Sequence, residues 1–152
     1  MATVGFVVDP ATFERKKIGP VWGTIFFQSE HGCFPAAGWS DIVVPIINEW
    51  LAVMNRVAAG MSGTHELRFM DGSFLMTVRR IDEASVFLKL VDDHPTKLTA
   101  EVSANLSMLL ENAITVGEQV QKECHAREWR DRDTASLSNE LRRATIARRI
   151  LK

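Results

Sequence analysis

Two short pairs of histidine and cysteine are the residues of this chain that could do chemistry most directly. His31 and Cys33 flank one glycine, and Cys124 directly precedes His125. Imidazole nitrogens and thiolates are ligands that zinc accepts, so the two pairs could together supply a complete site. Ligands this close in sequence do not match the usual zinc spacings, and Cys124 falls on the apolar stripe of a predicted helix. The pattern favours a buried structural thiol at Cys124, and we expect no metal and no cofactor.

Nucleophilic and acid-base chemistry have weaker support. Cys33 could act as a nucleophile if one of the four histidines reached it as a base, but no local motif indicates this. The carboxylate pairs Asp82-Glu83 and Asp92-Asp93 could serve as general acid and base. Neighbouring acids in a turn usually point into water, so we interpret both pairs as solvated strand ends. The sequence therefore predicts a protein that is not an enzyme.

The C-terminal segment is basic: residues 141–152 carry five basic groups and no acid. Arg142, Arg143, Arg148 and Arg149 would lie along part of a helix and could contact phosphates. No aromatic residues accompany them for base stacking, and basic groups near a helix C-terminus also offset the helix dipole. Nucleic acid is therefore disfavoured as a partner.

Length and composition describe the scaffold that must position these residues. A chain of 152 residues with 46% hydrophobic and 24% charged residues predicts a single domain spanning 1–152. No apolar run approaches the roughly 20 residues that cross a bilayer, and the start lacks the regions of a signal peptide. We therefore expect a cytoplasmic protein with reduced cysteines and no membrane partner.

The first half of the chain predicts two strands joined to an ordered loop. Residues 3–8 and 21–27 are rich in β-branched and aromatic side chains, and the first run should stop at Asp9-Pro10, because proline cannot extend a ladder. The loop 28–39 is expected to be ordered, with its aromatic residues as anchors.

A helix should follow, because apolar residues recur three and four apart from 43 to 58. Ser40 or Asp41 could cap its start, and Gly60 could close its end. Pro45 falls in the first turn, where it removes at most one backbone hydrogen bond.

The second half predicts three antiparallel strands between 64 and 91. Asp71-Gly72 separates two alternating runs and fits a two-residue hairpin, and a third strand covers 85–91. From Leu98 to Cys124 the apolar period becomes helical, with Gly117 allowing a bend or a break, and a last helix covers about 136–151.

The predicted order of elements is β-β-α-β-β-β-α-α, which is typical of an α+β fold. We expect one antiparallel sheet of about five strands packed against helices. The C-terminal helical part should span about 98–152.

Two segments together share the pattern of a known family. FFQSEHGCFPAAGWSDIVVPIINEWL at 26–51 and LRFMDGSFLMTV at 67–78 combine an aromatic-proline loop, a Gly-Trp-Ser-Asp helix start and a Phe-Met-Asp-Gly hairpin. This combination resembles small bacterial immunity proteins, which are encoded beside polymorphic toxins, including those of contact-dependent growth inhibition. The resemblance implies a cytoplasmic protein without catalysis that binds one cognate toxin domain and blocks its active site.

Physical reasoning then ranks the surfaces that could meet such a toxin. Many of these toxins cut nucleic acid and carry basic clefts, so an inhibitor gains association rate and specificity from acids. The candidate partner-binding residues are Glu30, His31, Asp41, Asp82, Glu83, Asp92 and Asp93. Three alternatives stay open: an enzyme or ligand-binding domain using the Glu30–Cys33 loop, a nucleic-acid module using the C-terminal arginines, and an acidic toxin that faces the basic final helix.

Overall fold

The computed structural model describes residues 4–151, in which eight strands form two antiparallel sheets packed against three helices. Sheet A contains β1 (Gly5–Glu14), β2 (Trp22–Ser29), β3 (Gly32–Phe34) and β4 (Ser40–Ile42). Sheet B contains β5 (Thr64–Arg68), β6 (Phe74–Arg80), β7 (Ser85–Asp93) and β8 (Thr96–Asn105). The helices are α1 (Val43–Ala58), α2 (Leu106–Ala126) and α3 (Arg132–Leu151). The predicted α+β class with antiparallel strands is confirmed, and the strands are divided between two sheets of four.

In sheet A the central strand is β2, which pairs with β1 along one edge and with β3 and β4 along the other. Alternation along the strands places Phe6 and Phe27 on the buried face. Trp50 of α1 meets both rings edge to face, with centroids 5.1 and 6.1 Å away. The predicted loop anchors are confirmed, since Phe34 is buried and Trp39 is half-buried.

The prediction that Asp9-Pro10 ends the first strand is wrong, because β1 continues to Glu14. Between Asp9 and Glu14 the register shifts, so that five steps of β1 run beside two steps of β2. Pro10 lies in this bulge, where its missing N–H costs no ladder hydrogen bond. The Thr12 hydroxyl fills part of the gap, because it donates to the Asp9 carbonyl at 2.6 Å and accepts an N–H of β2 at 2.9 Å. Thr3, where the predicted strand began, lies outside the described residues.

Helix α1 covers the predicted span, but its start differs from the prediction. No side chain caps the first turn, so neither Ser40 nor Asp41 acts as a helix cap. Pro45 lies in the first turn, as predicted. Gly60 ends the helix at φ 85°, and N–H groups of this turn return to the last helical carbonyls, which confirms the predicted closure.

Sheet B is a meander of four strands that includes a strand where a helix was predicted. The helix expected from Leu98 is wrong, since β8 pairs with β7 from Thr96 to Asn105 and α2 begins only at Leu106. The spacing of Leu98, Val102 and Leu106 is helical by coincidence. A one-residue bulge turns Leu98 to the outer face, where it is 49% exposed, while Val102 stays buried.

The β5–β6 hairpin is present, but its loop is longer than the predicted two residues. The Phe69 N–H donates to the Phe74 carbonyl at 3.0 Å, so the connection is the loop 70–73. Asp71 and Gly72 lie in its middle, with Gly72 at φ 81°. Two N–H groups of the loop bond to a carboxylate of β4 instead of closing a tight turn.

The three helices meet at Gly117 of α2. A β-carbon there would lie 2.7 Å from a Leu141 methyl of α3 and 3.2 Å from a Leu51 methyl of α1. The glycine therefore permits close helix packing, and α2 passes through it without a break. Helix α3 begins at Arg132, earlier than the predicted 136. Within residues 4–151, no helix has both the length and the apolarity needed to cross a membrane.

Candidate functional site

Asp41, predicted to bind a partner, is fully buried and serves the fold instead. One carboxylate oxygen accepts the Ile42 N–H at 2.8 Å. The other accepts the Trp39 indole N–H at 3.1 Å and the N–H groups of Met70 and Asp71 at 3.0 and 3.1 Å. The prediction for Asp41 is wrong, because a carboxylate satisfied inside the protein cannot meet a partner. Asp41 joins sheet A to the β5–β6 loop of sheet B.

Glu30 and His31 lie in the exposed turn between β2 and β3, which contacts the edge of sheet B. The His31 Nε2 atom lies 3.0 Å from the Glu101 carbonyl of β8, and since a carbonyl only accepts, the ring donates. The same nitrogen lies 3.6 Å from the Glu30 carboxylate. This turn is available to a partner, but its histidine already makes a contact within the protein.

The two predicted carboxylate pairs lie at opposite ends of sheet B. Asp82 and Glu83 are in the β6–β7 turn, whereas Asp92 and Asp93 end β7 and lead into the β7–β8 turn. At roughly 3.3 Å per residue, the nine-residue β7 separates the pairs by about 25 Å. The second pair leads from β7 into β8, a strand whose later part takes the place of the helix that the sequence predicted from Leu98. The predicted acids therefore do not form one continuous surface.

Hydrogen bonds explain why these acids stand at turns. Asp82 accepts two N–H groups of its own turn at 2.9 and 2.8 Å, and these bonds, that of Ala84 first, lower the pKa of Asp82. The Ser73 hydroxyl donates to Asp92 at 2.6 Å and lowers the pKa of that carboxyl. Asp93 lies 3.1 Å from Arg68. Asp82 and Asp92 therefore stabilise their turns as anions, and a lowered pKa is unsuited to proton transfer near neutral pH.

The cysteines are both free, and their surroundings differ. Cys124 is fully buried, and burial, together with the carboxylates of Asp131 and Glu123, raises the pKa of its thiol to about 11. A thiol held protonated is neither a nucleophile nor a metal ligand at neutral pH. Cys33 is half-buried in β3. In the part of the chain that the structure describes, no three His, Cys, Asp or Glu side chains are placed to hold a metal ion.

The C-terminal arginines are partly used within the protein. Arg148 donates to Glu111 of α2 at 2.6 Å, and Arg143 lies 3.4 Å from Glu140 in its own helix. The other two predicted phosphate contacts, Arg142 and Arg149, are exposed. Half of the predicted basic surface is therefore neutralised by nearby acids.

A groove of about 570 Å³ opens between α1, α3 and β5. Among the residues that line it are Asn48 and Glu49 of α1, Asp133 and Glu140 of α3, and Glu66 and Arg68 of β5. None of the predicted partner-binding residues lines this groove. Its acids come from three separate elements, α1, β5 and α3, so no local pattern could have joined all of them.

Two asparagines of α1 fix α3 beside the groove. Asn48 Nδ2 donates to the Asp133 carbonyl at 2.9 Å, and Asn55 Nδ2 donates to the Glu140 carboxylate at 3.0 Å. The asparagines are seven residues apart, so their side chains lie on the same helix face. Their Oδ1 atoms are buried without a hydrogen-bond partner among the described residues. These two side-chain hydrogen bonds form a polar seam that ties α1 to α3 beside the groove.

The groove is acidic. Its four carboxylates belong to Glu49, Glu66, Asp133 and Glu140. The guanidinium group of Arg68 also lines it, and this group lies 3.1 Å from Asp93. Two of the acids make long contacts with arginines at 3.6 and 3.4 Å, whereas Glu66 and Asp133 form no ion pair with any described residue. The arrangement can attract a cationic surface, and it lacks the close acid clusters that would bind a metal.

No family model matches the chain, and neither the curated proteins nor the solved structures include a match to it.

Proposed function

We propose that this protein binds a basic protein partner through the acidic groove, and that the partner is a bacterial toxin domain, which the binding neutralises. The observation that carries the proposal is the set of four carboxylates on α1, α3 and β5 around one groove. Acids gathered on one side of a molecule speed association with a basic partner and select against acidic partners.

The resemblance of 26–78 to bacterial immunity proteins suggests the class of partner. Its two segments share one buried contact, because Asp41 of the Gly-Trp-Ser-Asp segment accepts N–H groups of Met70 and Asp71 in the Phe-Met-Asp-Gly segment. These residues hold the scaffold together and leave the outer surfaces free to differ between proteins. That division of roles is what a family of inhibitors with diverse targets requires.

The proposed mode of action is occlusion. A nuclease must hold phosphates, so its active site presents lysine and arginine side chains. Glu49 and Glu66 are exposed on the groove and can pair with such side chains, while the seam of Asn48 and Asn55 keeps the walls in place. A preorganised surface loses little entropy on binding, which favours a tight stoichiometric complex.

Co-expression with the product of the neighbouring reading frame tests the proposal. We expect an equimolar complex whose association rate falls steeply with added salt. Reversing two charges, Glu49→Lys with Glu66→Lys, should weaken the complex at least about 100-fold, because like charges then face each other. Glu118→Lys is the matched control, since Glu118 is exposed on α2 and does not line the groove. Affinities can be measured by surface plasmon resonance.

Two outcomes would contradict separate parts of the proposal. If the groove variant binds normally while Asp82→Lys with Glu83→Lys abolishes binding, the interface is the β6–β7 turn and the groove is not the site. If the neighbouring frame encodes a metabolic enzyme and no toxin, the assignment of the partner class fails.

A further inference from the structure

A second hollow, of about 530 Å³, lies at one end of sheet A. Unlike the acidic groove, it is lined mainly by basic and aromatic side chains. It opens between the β1–β2 connection and the α2–α3 connection. The residues that line it are Glu14, Arg15, Lys16, Trp22, Arg127 and Trp129. Three cations and two indoles thus face one space, although more than 100 residues separate its two sides in sequence.

Backbone hydrogen bonds or strand pairing fix the positions of both tryptophans. Trp22 is 43% exposed and stands at the start of β2, where it pairs with Glu14 of β1 and Ile42 of β4. Trp129 is half-buried, and its backbone N–H donates to the Cys124 carbonyl at 2.9 Å, which anchors the turn after α2. An indole exposed to this extent at a hollow offers a flat face on which a planar ring can stack.

The three cations of the hollow differ in how many of their nitrogens already bind other groups of the protein. Arg15 is occupied, because its Nε donates to the Gly19 carbonyl at 3.0 Å and its Nη2 lies 3.4 Å from Asp131. Arg127 lies over the Trp129 ring at 5.1 Å and bonds to a glutamate only through Nε. Its two terminal nitrogens have no hydrogen-bond partner among the described residues. Lys16 is exposed and forms no ion pair within residues 4–151.

We propose that this hollow binds a nucleoside monophosphate, with the base stacked on Trp22 and the phosphate held by Lys16 and the free nitrogens of Arg127. An exposed indole favours a planar ring, and Lys16 together with the unbonded terminal nitrogens of Arg127 favours an anion. A volume of about 530 Å³ lies within the range of small-molecule sites. The acids Glu14 and Asp131 stand beside the cations and would repel further phosphates, which favours a single phosphate over a nucleic-acid strand.

Isothermal titration of the whole chain with AMP tests this proposal, with adenosine, inorganic phosphate and a single-stranded oligodeoxyadenylate as separate probes. We expect saturable binding of AMP at one site, with adenosine and phosphate each at least tenfold weaker. Trp22→Ala should weaken AMP about tenfold or more, since base stacking on an aromatic ring is lost. Trp22→Phe should retain most of the affinity.

The charge of the site is tested with Lys16→Gln. This variant should weaken AMP severalfold and reduce the dependence of binding on salt, whereas Lys97→Gln, which removes an exposed lysine from β8, should change neither. Circular dichroism melting checks that each variant is folded.

Four results would overturn the proposal. The first is no saturable binding of AMP at millimolar concentration, and the second is binding that survives Trp22→Ala unchanged. The third is phosphate binding as tight as AMP, which would indicate an adventitious ion only. The fourth is oligonucleotide binding much tighter than AMP, which would assign the hollow to nucleic acid.

Discussion

Sheet A and sheet B each contain four antiparallel strands, but the strands are held in different ways. Two strands of sheet A are three residues long, and its register is broken within β1. In sheet B each strand pairs with its neighbour in sequence, and β7 pairs with β8 along its whole length and with β6 from Val86 to Asp92. Sheet A therefore depends on hydrogen bonds of polar side chains to complete it, whereas sheet B is completed by its own ladder.

Two polar side chains supply the additional hydrogen bonds that hold sheet A in place. The Asp41 carboxylate accepts hydrogen bonds from four N–H groups inside the protein. The Asn112 side chain of α2 forms hydrogen bonds with the edge of β1 that has no neighbouring strand among the described residues. The Asn112 side chain accepts the Phe6 N–H at 2.8 Å and donates to the Phe6 carbonyl at 3.1 Å, as a neighbouring strand would. An irregular sheet can thus be stable, but its stability is concentrated in few residues.

The largest effect should follow replacement of Asp41. Asp41→Ala leaves one indole N–H and three backbone N–H groups without their acceptor in a buried place. We expect a loss of about 3–4 kcal/mol in the free energy of unfolding, measured in urea. Asp71→Ala is the control, because this neighbouring acid is exposed and should change stability by less than about 0.5 kcal/mol. If both substitutions lowered the free energy of unfolding equally, the buried hydrogen bonds of Asp41 would not be the cause of the loss.

A smaller loss should follow removal of the edge contact. Asn112→Ala breaks both hydrogen bonds to Phe6 and exposes the edge of β1, and we expect a cost of about 2 kcal/mol. Hydrogen exchange of the Phe6 amide should speed up more than exchange in sheet B. Asn139→Ala, at an exposed position of α3, should be nearly neutral. Uniform acceleration across both sheets would contradict a local role for Asn112.

The smallest effect is expected in sheet B and depends on pH. The folded pKa values of Asp82 and Asp92 are lowered, so their hydrogen bonds add stability above the unfolded pKa of about 3.9. That stability is lost as pH falls through the lowered folded values. We expect the urea midpoint to drop as the pH falls below about 4, and to drop less in the variant with Asp82→Asn and Asp92→Asn. An unchanged acid profile in this variant would show that other carboxyls control it.

Local patterns were sufficient for the elements whose partners are close in sequence. The apolar period of α1, the closure at Gly60 and the alternation of β5, β6 and β7 all follow from neighbours along the chain. β8 was missed because Leu98 and Val102 lie four apart, and a bulge that no sequence pattern marks places them on opposite faces. Periodicity describes a face only while the register is regular.

The candidate sites could not be predicted in the same way. Asp41 belongs to a segment whose composition suggests a surface loop, and only the distant N–H groups of the β5–β6 loop explain its burial. The acids of the groove come from three elements, and the indoles of the hollow from opposite ends of the chain. The other residues of each site lie far away in the sequence, so the site is formed only by tertiary packing.

The contact between His31 and Glu101 has a consequence for how copies of the molecule behave in concentrated solution. β8 is an edge strand, and an open edge of ten residues is a template on which a second copy could add a strand. The imidazole occupies one outward carbonyl near the middle of that edge, and the bulge at Thr99 bends the strand on the other side. Together they interrupt the free backbone of this edge, so we expect the β2–β3 turn to lower the tendency of β8 to pair with a second copy.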